Sequence, residues 1–204
     1  PMQTTKDYIR KLLLETAQKA FFEKGFKSVS MREISKLSGI GLSNIYNYFS
    51  CKDDIFVQIV TPAVRTFENM LDEHHGRRGT DIMVMCDRDY FKYMVDEYTS
   101  FIHRHRDLLL LLLFRSQGSS LENYKEEFAR KSTALVKEYF TLMKHKHPQL
   151  ETDISDFSIR MHTVWMFALF EELLMRRVKP DEIEKVVTEY MTIEVAGWRE
   201  LMKI

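Results

Sequence analysis

The chain has 204 residues, 45% of them hydrophobic, and its 30 Lys and Arg residues balance its 30 Asp and Glu residues. This composition provides for one full hydrophobic core or two small ones, and no stretch approaches the roughly 20 apolar residues that a membrane helix needs. Two cysteines, 35 positions apart, exclude a disulfide framework and a zinc knuckle, and they fit a reducing cytoplasm.

The charges are unevenly distributed along the chain. Residues 1–52 hold nine cations and four anions, a net charge of +5, which leaves 21 cations and 26 anions, or −5, for the remainder. A basic head on an acidic body suits a protein that touches nucleic-acid phosphates with one end, although a split of this size also arises by chance.

Residues 5–24 are predicted to form the first helix, because apolar residues recur along one face. Gly25 provides its C-terminal stop, and Phe26 and Val29 are expected to fold back into a small core. The apolar face of the helix consists of Ile9, Leu12, Leu13, Ala17, Ala20 and Phe21.

Residues 30–49 have the layout of a helix-turn-helix motif. Ser30 followed three residues later by Glu33 forms a capping box, so a second helix is predicted to begin at Met31. This helix must end near Gly39. Its apolar stripe is expected to consist of Ile34 and Leu37.

The segment Gly-Ile-Gly over residues 39–41 is a tight turn of the length that joins two crossing helices. A short third helix is predicted to follow over residues 42–48. The spacing of four between Ile45 and Phe49 turns both side chains inward.

The outward face of this third helix is predicted to read DNA bases. Ser43, Asn44, Asn47 and the hydroxyls of Tyr46 and Tyr48 crowd into two turns. Asn can bond adenine at N6 and N7 together, and such residues on a helix in a major groove read bases. The alternative is an ordinary surface turn that is rich in Asn and Tyr.

A long fourth helix is predicted over about residues 51–74, because a head of three short helices needs a support that buries more apolar surface. Ser50 is expected to cap it, with Asp53 and Asp54 at its positive N-terminal end. Pro62 lies inside the apolar pattern and predicts a kink. The alternative is a helix that ends at Val60 and restarts.

The loop over residues 74–80 is interpreted as a domain boundary. The chain then divides into a head (1–50), a linking helix (51–75) and a C-terminal body (76–204). The body is predicted to be helical, with segments at about 87–104, 106–116, 120–146, 153–177 and 181–202. Since no alternating strand pattern occurs, the predicted fold class is all-α.

The last two helical segments are too apolar for the outer helices of a monomer, so we expect them to pack against a second copy of the chain. The residues predicted at this dimer interface are Phe170, Leu174, Tyr190 and Trp198.

The body is also predicted to hold an adaptable apolar pocket built from aromatic and methionine side chains. Its predicted lining is Tyr90, Tyr93, Phe101, Phe114, Met161, Trp165 and Phe167. Glu171 lies one turn beyond Phe167 on the same helix. It would favour a cationic ligand if it faced the pocket, and it is solvated surface, the favoured alternative, if it faces out.

The sequence contains no constellation that indicates catalysis. The histidine pairs at 103/105 and 145/147 are embedded among Arg and Lys, which oppose a bound metal cation. There is no phosphate-binding loop, nucleophile elbow or HExxH motif. We therefore expect no enzyme activity, metal or cofactor. Cys51, at a helix start beside Lys52, is a redox candidate or simply replaces a small polar residue there.

The residues of the head resemble the DNA-binding domain of the TetR (TetR/AcrR) family of bacterial transcription regulators, over roughly residues 6–66. The matching pieces are Gly25-Phe26, Met31-Arg32-Glu33-Ile34, Gly39-Ile40, Ile45-Tyr46-Asn47-Tyr48-Phe49 and Lys52-Asp53-Asp54-Ile55-Phe56. Many members carry Ser in place of Gly41 and Lys in place of Leu42, so the operator preference of a relative does not transfer.

The resemblance implies a cytoplasmic homodimer that binds double-stranded DNA at an inverted repeat, most often as a repressor released by a small apolar or aromatic molecule. The base contacts expected are Ser43, Asn44 and Asn47, with Leu42 as an apolar contact. The phosphate contacts expected are Ser30, Arg32, Tyr46, Tyr48 and Lys52. The alternative function is a DNA-bound adaptor that recruits a protein partner without a small molecule.

Overall fold

The computed structural model describes residues 5–204, and this part of the chain consists of helices, turns and loops without a strand. The predicted all-α class is therefore confirmed. The helices are α1 (Thr5–Lys24), α2 (Met31–Ser38), α3 (Leu42–Ile45), α4 (Lys52–His75), α5 (Ile82–Met85), α6 (Arg88–Phe114), α7 (Tyr124–Lys146), α8 (Asp156–Met175) and α9 (Pro180–Met202). Within the described range, none of these helices combines the length and apolar character needed to cross a membrane.

The described residues form two compact units. The first contains the residues up to Val64 together with 107–124, and the second contains 65–106 together with 125–204. This division differs from the predicted boundaries, because helices α4 and α6 each contribute residues to both units. Residues 1–4 of the predicted head lie outside the described residues.

Three phenylalanine rings form the centre of the first unit. Phe21 of α1, Phe26 of the following 3-10 turn and Phe56 of α4 are each at most 5% exposed, with ring centroids 5.2–5.6 Å apart. Gly25 reverses the chain between the first two rings with a φ of 77°, a conformation that side-chain-bearing residues avoid. The predicted first helix and the return of Phe26 and Val29 to the core are both confirmed.

The buried face of α1 is narrower than predicted. Ile9 and Leu12 are half-buried. The buried residues of this helix are Leu13, Ala17, Ala20 and Phe21.

Helix α2 begins and ends where its capping residues predict. The Ser30 hydroxyl accepts a hydrogen bond from the Glu33 backbone N–H at 3.1 Å, and Gly39 ends the helix with a φ of 72°. The Glu33 carboxylate does not bond back to Ser30 as a full capping box requires. It binds the Lys24 ammonium at 2.5 Å and so joins the start of α2 to the end of α1.

The predicted apolar stripe of α2 is wrong in one of its two residues. Ile34 is fully buried, whereas Leu37 is 58% exposed. Three positions rotate a helical side chain by about 60° from the starting direction. This rotation turns Leu37 away from the core that Ile34 enters.

Helix α3 ends at Ile45, three residues earlier than predicted. Asn47 and Tyr48 donate their backbone N–H groups to carbonyls three residues back, at 3.1 and 2.9 Å. These tighter bonds wind the chain into 3-10-like turns in place of α-helix. Ile45 and Phe49 are nevertheless both buried, which confirms the inward direction that their spacing predicts.

Helix α4 is held at its start by carboxylates. Asp54 accepts hydrogen bonds from the backbone N–H and the hydroxyl of Ser50, at 3.1 and 3.4 Å, so Ser50 is a donor here and not the predicted cap. Asp53 accepts a hydrogen bond from the Ser120 N–H at 2.8 Å. The helix continues unbroken past Pro62, and the alternative of a restart after Val60 is not observed.

Phe67 of α4 is the centre of the core of the second unit. Its ring centroid lies 4.7–5.6 Å from those of Phe101, Phe128, Phe167 and Phe170. Because α6, α7 and α8 supply these four rings, one side chain of α4 fixes the positions of three helices by edge-to-face and tilted ring contacts.

Two helices predicted as separate segments, at 87–104 and 106–116, are the single helix α6. His105 leaves helical geometry inside it, with φ −119° and ψ 19°. The predicted interruption is therefore a local kink at the expected position. Helices α7, α8 and α9 are confirmed. Helix α7 begins four residues later than predicted, α8 is shorter at both ends, and α9 begins one residue earlier, with Pro180 in its first position.

Asp81 organises a short helix, α5, that the sequence analysis does not predict. Its carboxylate accepts hydrogen bonds from the Met83 backbone N–H at 2.9 Å and from His147 at 3.0 Å, and it pairs with the Lys146 ammonium. Burial alone would raise the pKa of Asp81. The bonds from Lys146, Met83 and His147 outweigh burial and lower the pKa to about 2.

We predict that Asp81→Asn lowers the free energy of unfolding by about 1–2 kcal/mol at neutral pH, because the ionised carboxylate satisfies three donors. A carboxyl whose folded pKa lies below its unfolded value of about 3.9 stabilises fully above that value and loses this contribution as the pH falls through the folded pKa. Urea unfolding should therefore show the difference between the two proteins shrinking from about pH 5 to about pH 3.

Asp153→Asn, which alters an exposed carboxyl in the loop before α8, is the matched control and should change stability by less than about 0.5 kcal/mol. A difference for Asp81→Asn that stays constant over the same pH range would contradict the assigned role of Asp81.

Candidate functional site

The outward side of α3 and of the turn after it is polar and exposed. Ser43, Asn44 and Asn47 are exposed, and Tyr46 is 51% exposed. The Asn47 side-chain amide donates to the Asn44 side-chain oxygen at 3.2 Å, which holds the two amides side by side. We call these four residues the α3 surface. Leu42, at its N-terminal edge, is half-buried.

The remaining residues expected to contact DNA are placed differently from one another. Arg32 is exposed on α2, and Tyr48 is half-buried. The Ser30 hydroxyl accepts the bond that caps α2, so it can still donate its own hydrogen to a phosphate.

The first turn of α4 carries backbone N–H groups, and such groups at a helix N-terminus can bind a phosphate. Its two carboxylates, Asp53 and Asp54, already satisfy donors of the chain itself, Ser120 and Ser50. Carboxylates at a helix N-terminus compete with a bound anion for the same positive end. This site is therefore less favourable for phosphate than the sequence alone indicates.

Lys52 has a structural role that the sequence does not reveal. Its ammonium donates to the carbonyl oxygens of Phe26 and Val29, at 2.8 and 2.7 Å, and lies 4.0 Å from the centroid of the Phe26 ring. Burial lowers the pKa of this ammonium. Lys52 thus ties the start of α4 to the chain reversal after α1, and this placement does not support the expected phosphate contact.

The second unit encloses a cavity of about 120 Å³. Methionine, aliphatic and aromatic side chains make up most of its wall, among them Met85, Met94, Tyr98, Phe140, Ile159 and Met191. The polar residues on the wall include His74, His75, His162, Tyr190, Glu194 and Trp198.

None of the seven side chains predicted to line a pocket lies on this cavity. Phe101 and Phe167 are buried in the core around Phe67, and the Tyr90 hydroxyl bonds to His74. The other four, all partly exposed to solvent, are Tyr93, Phe114, Met161 and Trp165. The cavity has a different lining from the predicted pocket because apolar residues occur on more than one face of these helices, and their periodicity does not indicate which face lines a cavity.

Glu171 does not line the cavity either. Its carboxylate forms an ion pair with the Lys125 ammonium of α7. The alternative of a surface residue is therefore the one observed.

The last two residues of α4, His74 and His75, both line the cavity, but their surroundings differ. The His74 ring bonds through Nε2 to the Glu97 carboxylate at 2.6 Å and through Nδ1 to the Tyr90 hydroxyl. Burial, with a smaller contribution from the charges of His74 and His162, lowers the pKa of His75 to about 3. His75 is therefore a neutral imidazole at physiological pH.

A carboxylate, an imidazole and an indole meet on another part of the cavity wall. The Trp198 indole N–H donates to Glu194 Oε2 at 3.0 Å, and His162 Nδ1 bonds to the same oxygen. This group is not predicted from the sequence. The spacing of four between Glu194 and Trp198, which places both side chains on one face of α9, is the sequence signal that indicates two of its three members.

The residues predicted at a dimer interface are mostly internal to the chain. Phe170, Leu174 and Tyr190 are at most 5% exposed, and Trp198 is half-buried on the cavity wall. A different set of apolar side chains on α8 and α9 is exposed, and we call it the α8/α9 apolar face: Phe157, Met161, Val164, Trp165, Met175, Ile193 and Leu201.

The cysteines and histidines do not assemble a metal site in the part of the chain that the structure describes. Cys51 is exposed, and Cys86 is half-buried, where burial raises the pKa of its thiol. A redox role for Cys51 stays a prediction.

A comparison with family models identifies the region that contains the α3 surface. Residues 13–59 match the model described as bacterial regulatory proteins, tetR family. The match covers the second half of α1, all of α2 and α3 and the first part of α4, and it confirms the resemblance that the sequence motifs indicate.

Similar proteins of known sequence or structure are transcription regulators rather than enzymes. Over 64 residues the chain is 34% identical to the uncharacterized HTH-type transcriptional regulator YhgD of Bacillus subtilis. This aligned segment covers 31% of this chain and 34% of YhgD. The chain thus matches about a third of the length of this relative.

Two solved structures extend the likeness to almost the whole chain. The fatty acid degradation regulator FadR from Bacillus halodurans has a TM-score of 0.62 at 16% identity, over 98% of this chain and 99% of that chain. NalD, the secondary repressor of the MexAB-OprM multidrug efflux pump in Pseudomonas aeruginosa, has a TM-score of 0.60 at 18% identity, over 92% and 95%. At these identities the likeness shows the fold.

We predict that Lys52→Met lowers the free energy of unfolding by about 1.5–3 kcal/mol, because two buried carbonyls lose a charged donor while the aliphatic stem is kept. Lys36→Met, which alters an exposed cation on α2, should stay within about 0.5 kcal/mol of the unmodified protein. Urea unfolding monitored by circular dichroism measures both. Equal and small effects would show that Lys52 is an ordinary surface cation.

Proposed function

We propose that this chain is a sequence-specific DNA-binding transcription regulator that acts as a homodimer and that a small molecule releases from its operator. The observation that carries the proposal is the α3 surface, an exposed row of short polar side chains after a tight turn. It lies within the segment that matches the tetR model. Repression is the mode of action that the family resemblance implies, and a regulator of bacterial genes acts in the cytoplasm.

The α3 surface has the chemistry needed for base readout. In a helix-turn-helix, residues at the N-terminal part of the second helix reach base edges in the major groove. Asn44 and Asn47 present amide groups that can pair with adenine, and Ser43 can donate or accept. Half-buried Leu42 offers methyl groups to a thymine methyl. Arg32 on the preceding helix is an exposed cation that can hold a phosphate.

The α8/α9 apolar face supports assembly into a homodimer. Exposed apolar side chains on two neighbouring helices are costly in water, and two copies of the chain can bury them in a four-helix bundle. A two-fold symmetric dimer carries two α3 surfaces, which matches an operator with two inverted half-sites.

The cavity favours regulation by a small molecule over the alternative function, an adaptor that recruits a protein partner. It is enclosed mainly by apolar side chains with a few polar groups, as ligand sites are. His74 and His75 on its wall are the last two residues of α4, and the first half of the same helix belongs to the first unit. A ligand can release DNA only if it binds the DNA-incompetent conformation more tightly, and DNA must then weaken ligand binding by the same factor.

We predict that Asn47→Ala reduces operator affinity by about 1–3 kcal/mol and relaxes the preference at one or two base pairs of each half-site. DNA selected from a random pool by the unmodified protein supplies the operator, and fluorescence anisotropy measures affinity for it and for its single-base variants. The reason is that the Asn47 amide lies on the exposed side of the α3 turn.

Arg32→Ala is the matched comparison on the neighbouring helix. It should weaken binding to all sequences alike. The slope of log affinity against log salt concentration should also become smaller by about one, as expected for the loss of one phosphate contact. If the two substitutions change sequence preference equally, the division into base-reading and phosphate-holding residues is wrong.

We predict that Ile193→Glu and Trp165→Glu each weaken dimerisation by more than about tenfold, because a carboxylate would be buried opposite the apolar side chains of the second copy. Leu142→Glu, on α7 and outside the α8/α9 apolar face, is the control and should leave the dimer intact. Sedimentation measures assembly, and circular dichroism verifies the helix content. A stable dimer in both face variants would exclude this face as the interface.

A further inference from the structure

Glu194 brings a carboxylate to the wall of a cavity that is otherwise mostly apolar. Its side chain is only 6% exposed, so it is largely removed from water. A charge at such a position is costly unless the protein or a ligand compensates it.

The protein supplies part of this compensation on one side of the carboxylate. Trp198 Nε1–H donates to Oε2 at 3.0 Å, and His162 Nδ1 bonds to the same oxygen. Because both bonds are made to Oε2, Oε1 is left to accept from a further donor.

A second polar group on the cavity wall is incompletely satisfied. The Tyr190 hydroxyl is buried and makes no hydrogen bond of ordinary geometry among the described residues. Tyr190 precedes Glu194 by four residues in α9, so the two side chains lie on one face of this helix. Burial raises the pKa of the phenol, and the charges of Tyr98 and Glu194 and an interaction of the hydroxyl with Glu194 raise it further. Buried polar groups without a partner are uncommon in folded proteins, and one beside a cavity indicates a group that a ligand can satisfy.

The other titratable groups of the wall do not neutralise Glu194. His74 and His75 come from α4, and His74 is bonded to Glu97 while His75 is neutral. The Tyr98 and Tyr139 phenols stay protonated, since burial raises the pKa of each.

Two further groups of the wall also leave the Glu194 charge uncompensated. Cys86 is a thiol whose pKa burial raises. Arg199 also lines the cavity, but this residue is exposed to solvent, and water screens its charge. Glu194 is the one side-chain carboxylate among the described residues of the wall, and apolar side chains make up most of the rest.

We propose, on the basis of the effector-binding part of the proposed function, that this cavity binds a small organic cation with an apolar body, whose protonated amine lies against Glu194. An ammonium group would donate to Oε1 and to the Tyr190 oxygen. The body would lie among Trp198, Tyr98 and methionine side chains, where aromatic faces also attract the positive charge. A cavity of about 120 Å³ admits a body about the size of benzene.

Three ligands of nearly equal shape and different charge test this proposal on the full-length protein: benzylammonium, benzyl alcohol and benzoate. Calorimetric titration without DNA measures their affinities. We expect benzylammonium to bind about tenfold or more tightly than benzyl alcohol, because its donor is charged, and benzoate to bind more weakly than both. Equal affinity for the three, tighter binding of benzoate, or no binding of benzylammonium would overturn the proposal.

Two carboxylate-to-amide substitutions locate the site. Glu194→Gln keeps the shape of the side chain and should reduce benzylammonium affinity to about that of benzyl alcohol, a loss of about tenfold or more. Glu171→Gln, which removes a carboxylate from the same unit outside the cavity, should change nothing. Tyr190→Phe should weaken benzylammonium less than Glu194→Gln does. An unchanged affinity in Glu194→Gln would contradict the assignment.

Operator binding, measured separately by anisotropy, distinguishes failure of this inference from failure of the proposed function. If the protein binds selected DNA but not benzylammonium, the ligand class is wrong and the DNA-binding function stands. If benzylammonium binds as expected and no DNA is selected, the cation site stands and the proposed function fails.

Discussion

The position of a four-residue helix is the constraint on which the DNA-binding surface depends. A helix as short as α3 has almost no stability of its own, since forming the first turn costs more backbone entropy than its few hydrogen bonds return. Its direction is therefore set from outside, by the burial of Ile45 and Phe49. The polar side chains of the α3 surface face water because these two apolar side chains face the core.

The core that receives Ile45 and Phe49 is itself fixed by contacts between distant parts of the sequence. The rings of Phe21, Phe26 and Phe56 pack together, and Lys52 closes the group by donating to two carbonyls of the chain reversal. The hydrogen bonds of a half-buried cation to two carbonyls are directional, so they fix a contact whose geometry apolar packing alone would leave variable. The angle between α4 and the helix-turn-helix thus has both an apolar and a polar determinant.

Local signals explain how much of the fold could be predicted from the sequence. The Ser30 cap and the Gly39 stop act within a few residues, so the limits of α2 are predicted correctly. The end of α3 is predicted wrongly because the spacing of apolar residues does not distinguish α-helical from 3-10 hydrogen bonds over the few residues after Ile45. The direction of Leu37 is predicted wrongly because two apolar residues are too few to define the buried face of a helix.

The cavity illustrates the limit of such predictions for the candidate sites. Its position in the second half of the chain could be expected from the methionine and aromatic content, but its lining could not, because α8 and α9 are apolar on several faces. Glu194, His162 and Trp198 come together only through packing of two helices. The spacing of four places Glu194 and Trp198 on one face of α9, but nothing in the sequence indicates that His162 of α8 packs against them.

Selection of DNA from a random-sequence pool by the purified protein, followed by sequencing of the retained DNA, tests base readout by a symmetric dimer most directly. A symmetric dimer that reads bases through two α3 surfaces predicts enrichment of one inverted repeat, with half-sites separated by about one helical turn, roughly 10 base pairs, or more. Retention of DNA without any enriched sequence would contradict base readout by the α3 surface, and enrichment of a single half-site would contradict the symmetric dimer.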